Sequence, residues 1–242
     1  MIISIINQKG GVAKTTSTFN LGSIIANMNK KVLLIDIDPQ SSLTTCAGIN
    51  SDEKSMYNVI CNNENIENII KKFSENLYIA PSSLDLSIAE LQLVTTMARE
   101  NVLKKALSKI KNKFDYILID CPPSLSLLTI NSLVASNEVI VPVSTEYLAY
   151  KGLELLIDTV DNVRKNLNEK LFIKGIIATM YDKRTKHSNE VLEALEENFN
   201  VLGIIKSSVI VKDSGLANEP LDVFAPSHEI TKEYTKIAKE IL

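Results

Sequence analysis

The chain has 242 residues, of which 45% are hydrophobic and 23% are charged, with only 8 Gly and 7 Pro. This composition excludes a disordered chain and predicts one compact domain with a substantial core over residues 1–242. The formal net charge of −3 excludes a general attraction to nucleic acid, so any DNA contact must be local.

The hydropathy pattern and the cysteines indicate the compartment. No span of about 18 apolar residues occurs, and the chain opens on a predicted strand instead of a cleavable signal. Cys46, Cys61 and Cys121 are widely spaced and form no CxxC pair, which indicates neither a disulfide framework nor a zinc site. We therefore expect a soluble cytoplasmic protein with reduced thiols.

The first predicted strand, IISII at residues 2–6, leads through a glycine turn into a helix. Gly10 and Gly11 permit a tight turn that directs backbone N–H groups inward, and Lys14 and Thr15 open the helix. A helix N-terminus binds phosphate oxygens through its unsatisfied N–H donors and positive dipole end. The pattern predicts a nucleotide site with Lys14 at the β- and γ-phosphates and the Thr15 hydroxyl on Mg²⁺.

This loop departs from the ordinary P-loop spacing of Gly, four residues, then Gly-Lys-Ser/Thr. Asn7 lies near the expected first Gly, and Ala13 replaces the Gly before the lysine. The methyl group of Ala13 predicts a negative φ there. Lys9 accounts for the mismatch, because KGGxxKTT resembles the deviant Walker A motif of the ParA/MinD family of ATPases.

In that family the additional lysine, here Lys9, reaches across a dimer interface to the phosphates held by the other subunit. The resemblance implies catalytic roles for Lys9 and Lys14. It implies an ATP-binding loop made of Lys9, Gly10, Gly11, Val12, Ala13, Lys14, Thr15 and Thr16. The alternative is an ordinary solvated lysine beside a plain glycine turn.

The second predicted strand, VLLI at 32–35, is followed by Asp36 and Asp38 in the sequence DIDPQSS. Side chains alternate along a strand, so an extended continuation places both carboxylates on one face at the ligand-binding carboxyl edge of the sheet. The segment resembles the Walker A′ motif of ParA-type proteins. By that resemblance, Asp38 orients or activates the attacking water and Asp36 supports the Mg²⁺ shell. The alternative is a turn at Asp38 that caps the next helix.

The next segments are a polar stretch and a long apolar stripe. Residues 50–65 show no periodicity beyond Met56–Ile60 and are predicted to form a loop. After the strand LYIA at 77–80, the segment 84–110 is predicted to form a long helical stripe packed in the core, with a partner-binding groove as the alternative. The stripe consists of Leu84, Ile88, Leu91, Val94, Val102, Leu103, Leu107 and Ile110.

The strand YILI at 116–119 ends in Asp120 and resembles a Walker B strand. A carboxylate there can hold Mg²⁺ through water. Cys121, Pro122 and Pro123 direct the chain into a loop suited to sensing the γ-phosphate. The alternative is a buried strand whose aspartate caps a helix, and the order of the three motifs favours the nucleotide site.

Strands at 138–143, 172–179 and 201–205 alternate with predicted helices. Those helices cover residues 15–28, 124–135, 147–166 and 187–198. Pro142 is expected to end regular pairing, and Tyr147 is expected to begin a helix near the dimer face, by resemblance to the family's fifth-strand segment. The alternation predicts a mostly parallel, twisted sheet with helices on both faces, the α/β fold of a single P-loop NTPase domain.

The last third resembles ParA proteins of the small chromosomal or plasmid (Soj-like) type, through TMYDKRTKHSNEV at 179–191 and the segment 202–227. The family commonly has Asn at the position of Thr179, and Pro and Asn at those of Lys206 and Ser208. By resemblance, Lys206 and Ser208 are expected beside the adenine. The chain is expected to lack the N-terminal helix-turn-helix of the larger plasmid type.

DNA contacts are expected to be non-specific and local. Relatives carry DNA-binding arginines near Ser207 and Ile210, and this sequence lacks them. A solvated loop is the alternative for the basic residues that remain. The candidate contacts are Lys183, Arg184 and Lys186, with Lys206 and Lys212 as replacements.

The C-terminal segment predicts a helix that packs on the domain. Lysines and glutamates are mixed on its polar face, whereas membrane-targeting helices need a basic face and bulky anchors. Its apolar face carries Ile230, Tyr234, Ile237, Ala238 and Ile241.

Taken together, the resemblance implies a DNA-partitioning ATPase. ATP and Mg²⁺ bridge a homodimer through Lys9, and the dimer binds non-specific DNA on the nucleoid. Hydrolysis, stimulated by a centromere-binding ParB-like adaptor, releases it. Two other classes stay open: an ATP-dependent ligase resembling dethiobiotin synthetase, which a metabolite would stimulate, and a MinD-like positioning ATPase, which would bind liposomes with ATP.

Overall fold

The computed structural model describes residues 1–50, 54–146 and 152–242. One sheet contains the strands β1 (Ile2–Ile5), β2 (Val32–Asp36), β3 (Lys71–Lys72), β4 (Leu77–Ala80), β5 (Tyr116–Asp120), β6 (Glu138–Ser144), β7 (Phe172–Tyr181) and β8 (Val201–Lys206). The helices are α1 (Lys14–Asn27), α2 (Ser42–Cys46), α3 (Met56–Cys61), α4 (Leu86–Val94), α5 (Val102–Ser108), α6 (Leu127–Ala135), α7 (Leu153–Asn166), α8 (Lys186–Asn198), α9 (Val209–Leu216), α10 (Leu221–Phe224) and α11 (Glu229–Ile241).

The strands lie in the order β3-β4-β2-β5-β1-β6-β7-β8. All neighbours pair in parallel except β3, a short edge strand that runs antiparallel to β4 and that the sequence analysis did not predict. The register between β2 and β5 pairs Asp36 with Asp120. Because β1 lies next to β5, the loop that follows β1 opens beside these two strand ends.

Helices cover both faces of the sheet, as the strand–helix alternation predicts. On one face α4, α5, α6, α7 and α8 pack on side chains such as Ile35 and Val141. On the other face α1, α10 and α11 pack on side chains such as Leu34 and Ile140. Buried aliphatic side chains of this kind each contribute about 1.5–3 kcal/mol relative to exposure. The mostly parallel α/β architecture is confirmed.

The single long helix predicted over 84–110 is wrong. The chain breaks after α4, with Ala98 at φ 51, and resumes as a 3₁₀ turn followed by α5. Only the second half of the stripe, including Leu103 and Leu107, lies in the core. In α4 the inward face is offset by about two positions from the predicted one. That face consists of Leu86, Ala89 and Leu93, which leaves Leu84, Ile88, Leu91 and Val94 at least 44% exposed.

Two local predictions also need correction. Part of the polar stretch 50–65 is helical, because Ser55 and Asn58 form a capping box that starts α3. Pro142 does not end pairing, since β6 continues to Ser144 with Pro142 opposite Ile177 of β7. Backbone pairing with β1 has already ended there, and the Asn7 amide donates to the Pro142 carbonyl at 2.7 Å. The predicted helix start at Tyr147 lies outside the described residues.

The C-terminal helix packs on the domain as predicted. In α11 the side chains of Tyr234, Ile237 and Ala238 are fully buried. A Cβ at Gly203 of β8 would lie 2.6 Å from the Ile237 side chain, so glycine permits this close approach. Within residues 1–50, 54–146 and 152–242, no helix is both long and apolar enough to cross a membrane.

Candidate functional site

The loop between β1 and α1 follows the strand–turn–helix course that the sequence predicts, but with an unexpected backbone. Gly11 has φ 73 and Ala13 has φ 66, so the predicted negative φ at Ala13 is wrong. Ala13 precedes the first turn of α1, and its carbonyl accepts the hydrogen bond from Ser17 N at 2.9 Å. A left-handed alanine costs about 1–2 kcal/mol, and such strain persists where the surrounding structure enforces it.

This loop opens into a cavity of about 480 Å³, within the ordinary size range of ligand pockets. Most of the predicted binding residues line it. They are Gly10, Gly11, Ala13, Lys14, Thr15, Thr16, Asp38, Lys206, Ser208 and Lys212. Val12 is buried, and its carbonyl accepts a hydrogen bond from Thr179 Oγ1 at 3.2 Å, which ties the loop to the end of β7.

Lys14 and Lys9 have different surroundings. Lys14 is 7% exposed, and its Nζ donates to the Lys9 carbonyl at 3.1 Å. Burial lowers the pKa of Lys14, and the charge of Asp120 opposes that effect. The Lys9 ammonium instead forms an ion pair with Glu146, while the Lys9 backbone N–H donates to Asn7 Oδ1 at 2.9 Å. The backbone of Lys9 is therefore fixed independently of its side chain.

Thr15 and Asp120 meet at the N-terminus of α1. The Thr15 hydroxyl donates to Asp120 Oδ2 at 2.6 Å, and the Thr18 hydroxyl lies 3.4 Å from Oδ1. Asp120 is 1% exposed. Burial, and then the nearby Asp36, raise the pKa of Asp120 well above its usual range.

A hydroxyl and a buried carboxylate at a helix N-terminus fit a divalent cation that arrives with phosphates. Among the described residues, no group of three or more His, Cys, Asp and Glu could hold a metal by itself. Mg²⁺ bound with a nucleotide takes one or two protein ligands and completes its shell with phosphate oxygens and water. The pair Thr15 and Asp120 suits that mode.

Asp36 and Asp38 do not share one environment, contrary to the predicted common face. The strand β2 ends at Asp36, and only the following loop carries Asp38 to the cavity. Asp36 is fully buried and accepts hydrogen bonds from Asp38 N at 3.1 Å, Thr44 N at 2.9 Å and Thr44 Oγ1 at 2.7 Å. Burial raises the pKa of Asp36 to about 7, against the opposing effect of these bonds.

The cavity is also lined by residues that the motifs did not identify. Met180 follows Thr179 with φ 55 and is 41% exposed. It could have been predicted as the residue near the carboxyl end of a strand, whereas the approach of helical Cys46 and Tyr234 has no sequence signal. Pro123, from the loop predicted to sense the γ-phosphate, also lines the cavity. The residues added by the structure are Ser42, Cys46, Met180, Ile205, Ser207, Val211, Gly215 and Tyr234.

The candidate DNA-contacting residues are distributed over separate elements. Arg184, in the connection between β7 and α8, forms a bidentate pair with Asp182 at 2.9 and 2.7 Å. The Lys186 Nζ lies 3.3 Å from Glu190 Oε1 and forms an ion pair with it. The predicted replacements Lys206 and Lys212 both line the cavity, and Lys206 pairs with Glu229 at 2.7 Å. Neighbouring acids thus offset much of this basic charge.

Comparisons with known sequences identify similar proteins over nearly the whole chain. The family model described as AAA domain matches residues 1–173. The sporulation initiation inhibitor protein Soj of Bacillus subtilis is 42% identical over 99% of this chain and 97% of its own length. The chromosome-partitioning ATPase Soj of Treponema pallidum is 40% identical over 98% of this chain and 95% of its own length.

Solved structures give a similar result. A plasmid partition protein from Borrelia burgdorferi B31, bound to AMPPNP, is 30% identical with a TM-score of 0.87, covering 99% of this chain and 97% of that one. Cobyrinic acid a,c-diamide synthase from Mycobacterium smegmatis, bound to an ATP analogue and magnesium, is 32% identical with a TM-score of 0.84, covering 98% and 92%.

Proposed function

The chain belongs to the ParA/MinD family of P-loop ATPases, and we propose that it is an ATP-dependent DNA-partitioning ATPase that works as a homodimer. One observation carries the proposal. The ends of β1, β2 and β5 lie side by side, so that the phosphate loop and Asp38 line one cavity and the buried Asp120 accepts a hydrogen bond from the cavity-lining Thr15. This arrangement supports binding a triphosphate and cleaving its terminal phosphoanhydride bond.

The phosphate loop supplies the positive field for the triphosphate. The unpaired N–H groups at the start of α1 and the Lys14 ammonium stabilise phosphate oxygens. The Thr15 hydroxyl and Asp120 would hold Mg²⁺, whose charge offsets that of the phosphates. Phosphoryl transfer depends mainly on such positioning and charge stabilisation, so these groups account for the main part of the chemistry.

In this proposal Asp38 orients the attacking water. It lines the cavity, and its Oδ1 accepts a hydrogen bond from Gln40 N at 2.9 Å, which fixes the carboxylate. A fixed carboxylate can accept a hydrogen bond from water and align it with the γ-phosphorus. Attack by the water oxygen forms the new P–O bond, the bond to the β-phosphate oxygen breaks, the protons of the water pass to the released phosphate and to solvent, and ADP and phosphate leave.

We propose that each nucleotide site is completed by Lys9 of the other subunit. In the single subunit its ammonium is paired with Glu146, on the exposed side of the loop. In the proposed dimer each Lys9 leaves this partner and contacts the triphosphate held by the other subunit. Because only the triphosphate state gains these contacts, ATP and ADP favour different assemblies, and the nucleotide acts as a switch.

The dimer is proposed to bind DNA non-specifically through Lys183, Arg184 and Lys186, with Lys212 as a further contact. A centromere-binding, ParB-like adaptor would stimulate hydrolysis and release the dimer from the nucleoid. Support for this part comes from the relatives, one of which is named a chromosome-partitioning ATPase. We also propose that residues 1–242 form one ATPase domain that works in the cytoplasm.

Co-sedimentation with non-specific DNA tests the DNA part of the proposal. We expect binding with ATP and Mg²⁺ and loss of binding with ADP or without nucleotide. Replacing Lys183 and Arg184 of the β7–α8 connection and Lys186 at the start of α8 by Ala should weaken binding and reduce the salt slope by about one per lost phosphate contact. The matched control changes Lys104, Lys105 and Lys109 to Ala, which removes the same charge from α5 and its C-cap residue. Equal binding in all nucleotide states would contradict the switch.

A small-molecule ligase is the second candidate, because one similar structure is named cobyrinic acid a,c-diamide synthase. The ATP cleavage rate of such an enzyme would rise with the concentration of an acceptor metabolite, and DNA would leave this rate unchanged. ATP turnover measured with DNA and with carboxylic-acid metabolites therefore separates the two functions. Stimulation by a metabolite alone would favour the ligase.

A further inference from the structure

The carboxylate of Asp36 is held between the Asp38 loop and the helix α2. Its Oδ1 accepts from Asp38 N at 3.1 Å, and its Oδ2 accepts from Thr44 N at 2.9 Å and from Thr44 Oγ1 at 2.7 Å. The same Thr44 hydroxyl accepts a hydrogen bond from Ser82 N at 2.9 Å, in the loop after β4. Asp36, Thr44 and Ser82 are all at most 1% exposed. One hydroxyl therefore connects two loops and a strand end.

We propose that Thr44 is a positioning residue that holds the catalytic carboxylate of Asp38 in place through Asp36. This inference rests on the proposed function, because it assigns a role within the ATP-hydrolysing site. Thr44 acts through another residue and is not itself placed to contact the nucleotide. Asp36 then serves as the brace between Thr44 and the backbone of Asp38.

The hydrogen bonds that Asp36 accepts favour a positioning role for this carboxylate over a role as metal ligand. A carboxylate offers about four acceptor positions, and three of them are occupied by protein donors. Asp120, by contrast, receives its short contact from Thr15, the residue expected beside the phosphates.

The helix α2 needs this connection. It has five residues, and its N-cap residue Ser41 is left-handed, with φ 54 and no side-chain capping bond. A helix of this length is not stable alone, so tertiary contacts must fix it. The Asp38 carbonyl accepts from Ser41 N at 2.9 Å at the start of this helix, so Thr44, one turn later, fixes both the helix and the loop.

The Thr44 hydroxyl is suited to this role because it donates to Asp36 and accepts from Ser82 at the same time. Valine has the same branched shape but can do neither, whereas serine can do both. Thr45 is the matched control, because it lies in the same helix, is exposed, and directs its hydroxyl to the Ser41 carbonyl.

The test compares Thr44→Val, Thr44→Ser and Thr45→Val by steady-state ATP hydrolysis, melting temperature and amide hydrogen exchange without nucleotide. We expect Thr44→Val to lower kcat by about 10- to 100-fold, because a catalytic group displaced by about 1 Å costs that much. The KM for ATP should stay within about two-fold, since the phosphate loop is untouched. Exchange at Ser82 N–H should accelerate. Thr44→Ser and Thr45→Val should resemble the wild type.

Thr44→Ala, which removes the hydroxyl without replacing the branch, is measured in parallel and carries the same test if Thr44→Val does not fold. The proposal is overturned if Thr44→Val and Thr44→Ala hydrolyse ATP at the Thr45→Val rate. It is also overturned if kcat and ATP affinity fall together with the folded fraction, or if Thr44→Ser is as slow as Thr44→Val.

Asp38→Ala separates this inference from the proposed function. If Asp38→Ala does not slow hydrolysis, the role given to Asp38 is wrong and the proposed chemistry fails. If Asp38→Ala slows hydrolysis while Thr44→Val does not, only the brace is wrong.

Discussion

Lys9, the residue proposed to reach the partner's phosphates, forms an ion pair with Glu146 of its own subunit. The Lys9 side chain is 34% exposed and that of Glu146 is 58% exposed, so solvent screens the pair. Such a pair is weak enough to open when a stronger anion arrives. In the proposed dimer, this pair would oppose assembly until two triphosphates are present.

Glu146→Gln should strengthen the ATP-dependent dimer. A surface ion pair contributes about 0.2–1 kcal/mol, and each dimer opens two of them, so the dissociation constant should fall by about 2- to 30-fold. Analytical ultracentrifugation with ATP and Mg²⁺ measures this constant. Glu67→Gln, which breaks the exposed pair with Lys113, is the control and should leave it unchanged. A weaker dimer in Glu146→Gln would mean that Glu146 supports the assembled state.

Ala13→Gly should stabilise the nucleotide-free protein. The left-handed backbone at Ala13, with φ 66, strains an alanine and suits a glycine. Relief of that strain, reduced by the entropy of a glycine in the unfolded chain, should raise the free energy of unfolding by about 0.5–1 kcal/mol. Urea denaturation measures it. Ala98→Gly, at φ 51 in the break after α4, should give a similar gain. A less stable Ala13→Gly variant would contradict the assignment of strain.

Much of the site follows from the sequence because its parts are local. The strand–turn–helix pattern around Lys14, and the aspartates at the ends of β2 and β5, depend on residues adjacent in the chain. Parallel pairing then brings Asp36 opposite Asp120. The left-handed Ala13 could not be predicted in this way, because surrounding contacts override the local preference for negative φ.

The errors outside the site have a similar cause. In α4 the apolar residues allow two helical faces, and only tertiary packing selects Leu86 and Leu93 as the inward ones. Proline lacks an N–H donor, so Pro142 is predicted to end regular pairing. The strand accommodates it because pairing with β1 has ended there and the Asn7 side chain bonds the Pro142 carbonyl in place of a backbone partner. Such compensation by distant groups cannot be read from spacing along the chain.

The three cysteines provide a test of the cavity's position. Cys46 lines the cavity, whereas Cys61 lies outside it and Cys121 is fully buried. Burial raises the pKa of Cys61 to about 11 and that of Cys121 to about 12, and burial with the charges of Asp120 and Asp36 raises the pKa of Cys46. Cys46 and Cys61, which are partly exposed, should therefore alkylate slowly at neutral pH and faster as the pH rises.

ATP with Mg²⁺ should protect Cys46 from alkylation and leave Cys61 unaffected. Iodoacetamide labelling at about pH 9, read by peptide mass spectrometry, measures the three rates separately. Cys61 is the internal control for reagent and pH, and Cys121 should react only after unfolding. Equal protection of Cys46 and Cys61, or none at Cys46, would place the nucleotide elsewhere.

The corrected face of α4 predicts a contrast between neighbouring leucines. Leu91 is 75% exposed and Leu93 is 1% exposed. Leu91→Ala should change the free energy of unfolding by no more than about 0.5 kcal/mol, whereas Leu93→Ala should lower it by about 2–5 kcal/mol through a core cavity. Urea denaturation compares the two. A large loss in Leu91→Ala would restore the face predicted from the sequence.

The proposed nucleotide switch is tested most directly by the oligomeric state as a function of nucleotide, measured by light scattering on wild type, Lys9→Ala, Asp38→Ala and a Lys111→Ala control. We predict that the wild type and Lys111→Ala dimerise only with ATP and Mg²⁺, that Lys9→Ala stays monomeric, and that Asp38→Ala stays dimeric because hydrolysis is blocked. A monomeric wild type that hydrolyses ATP at the same rate with or without Lys9 would contradict the switch.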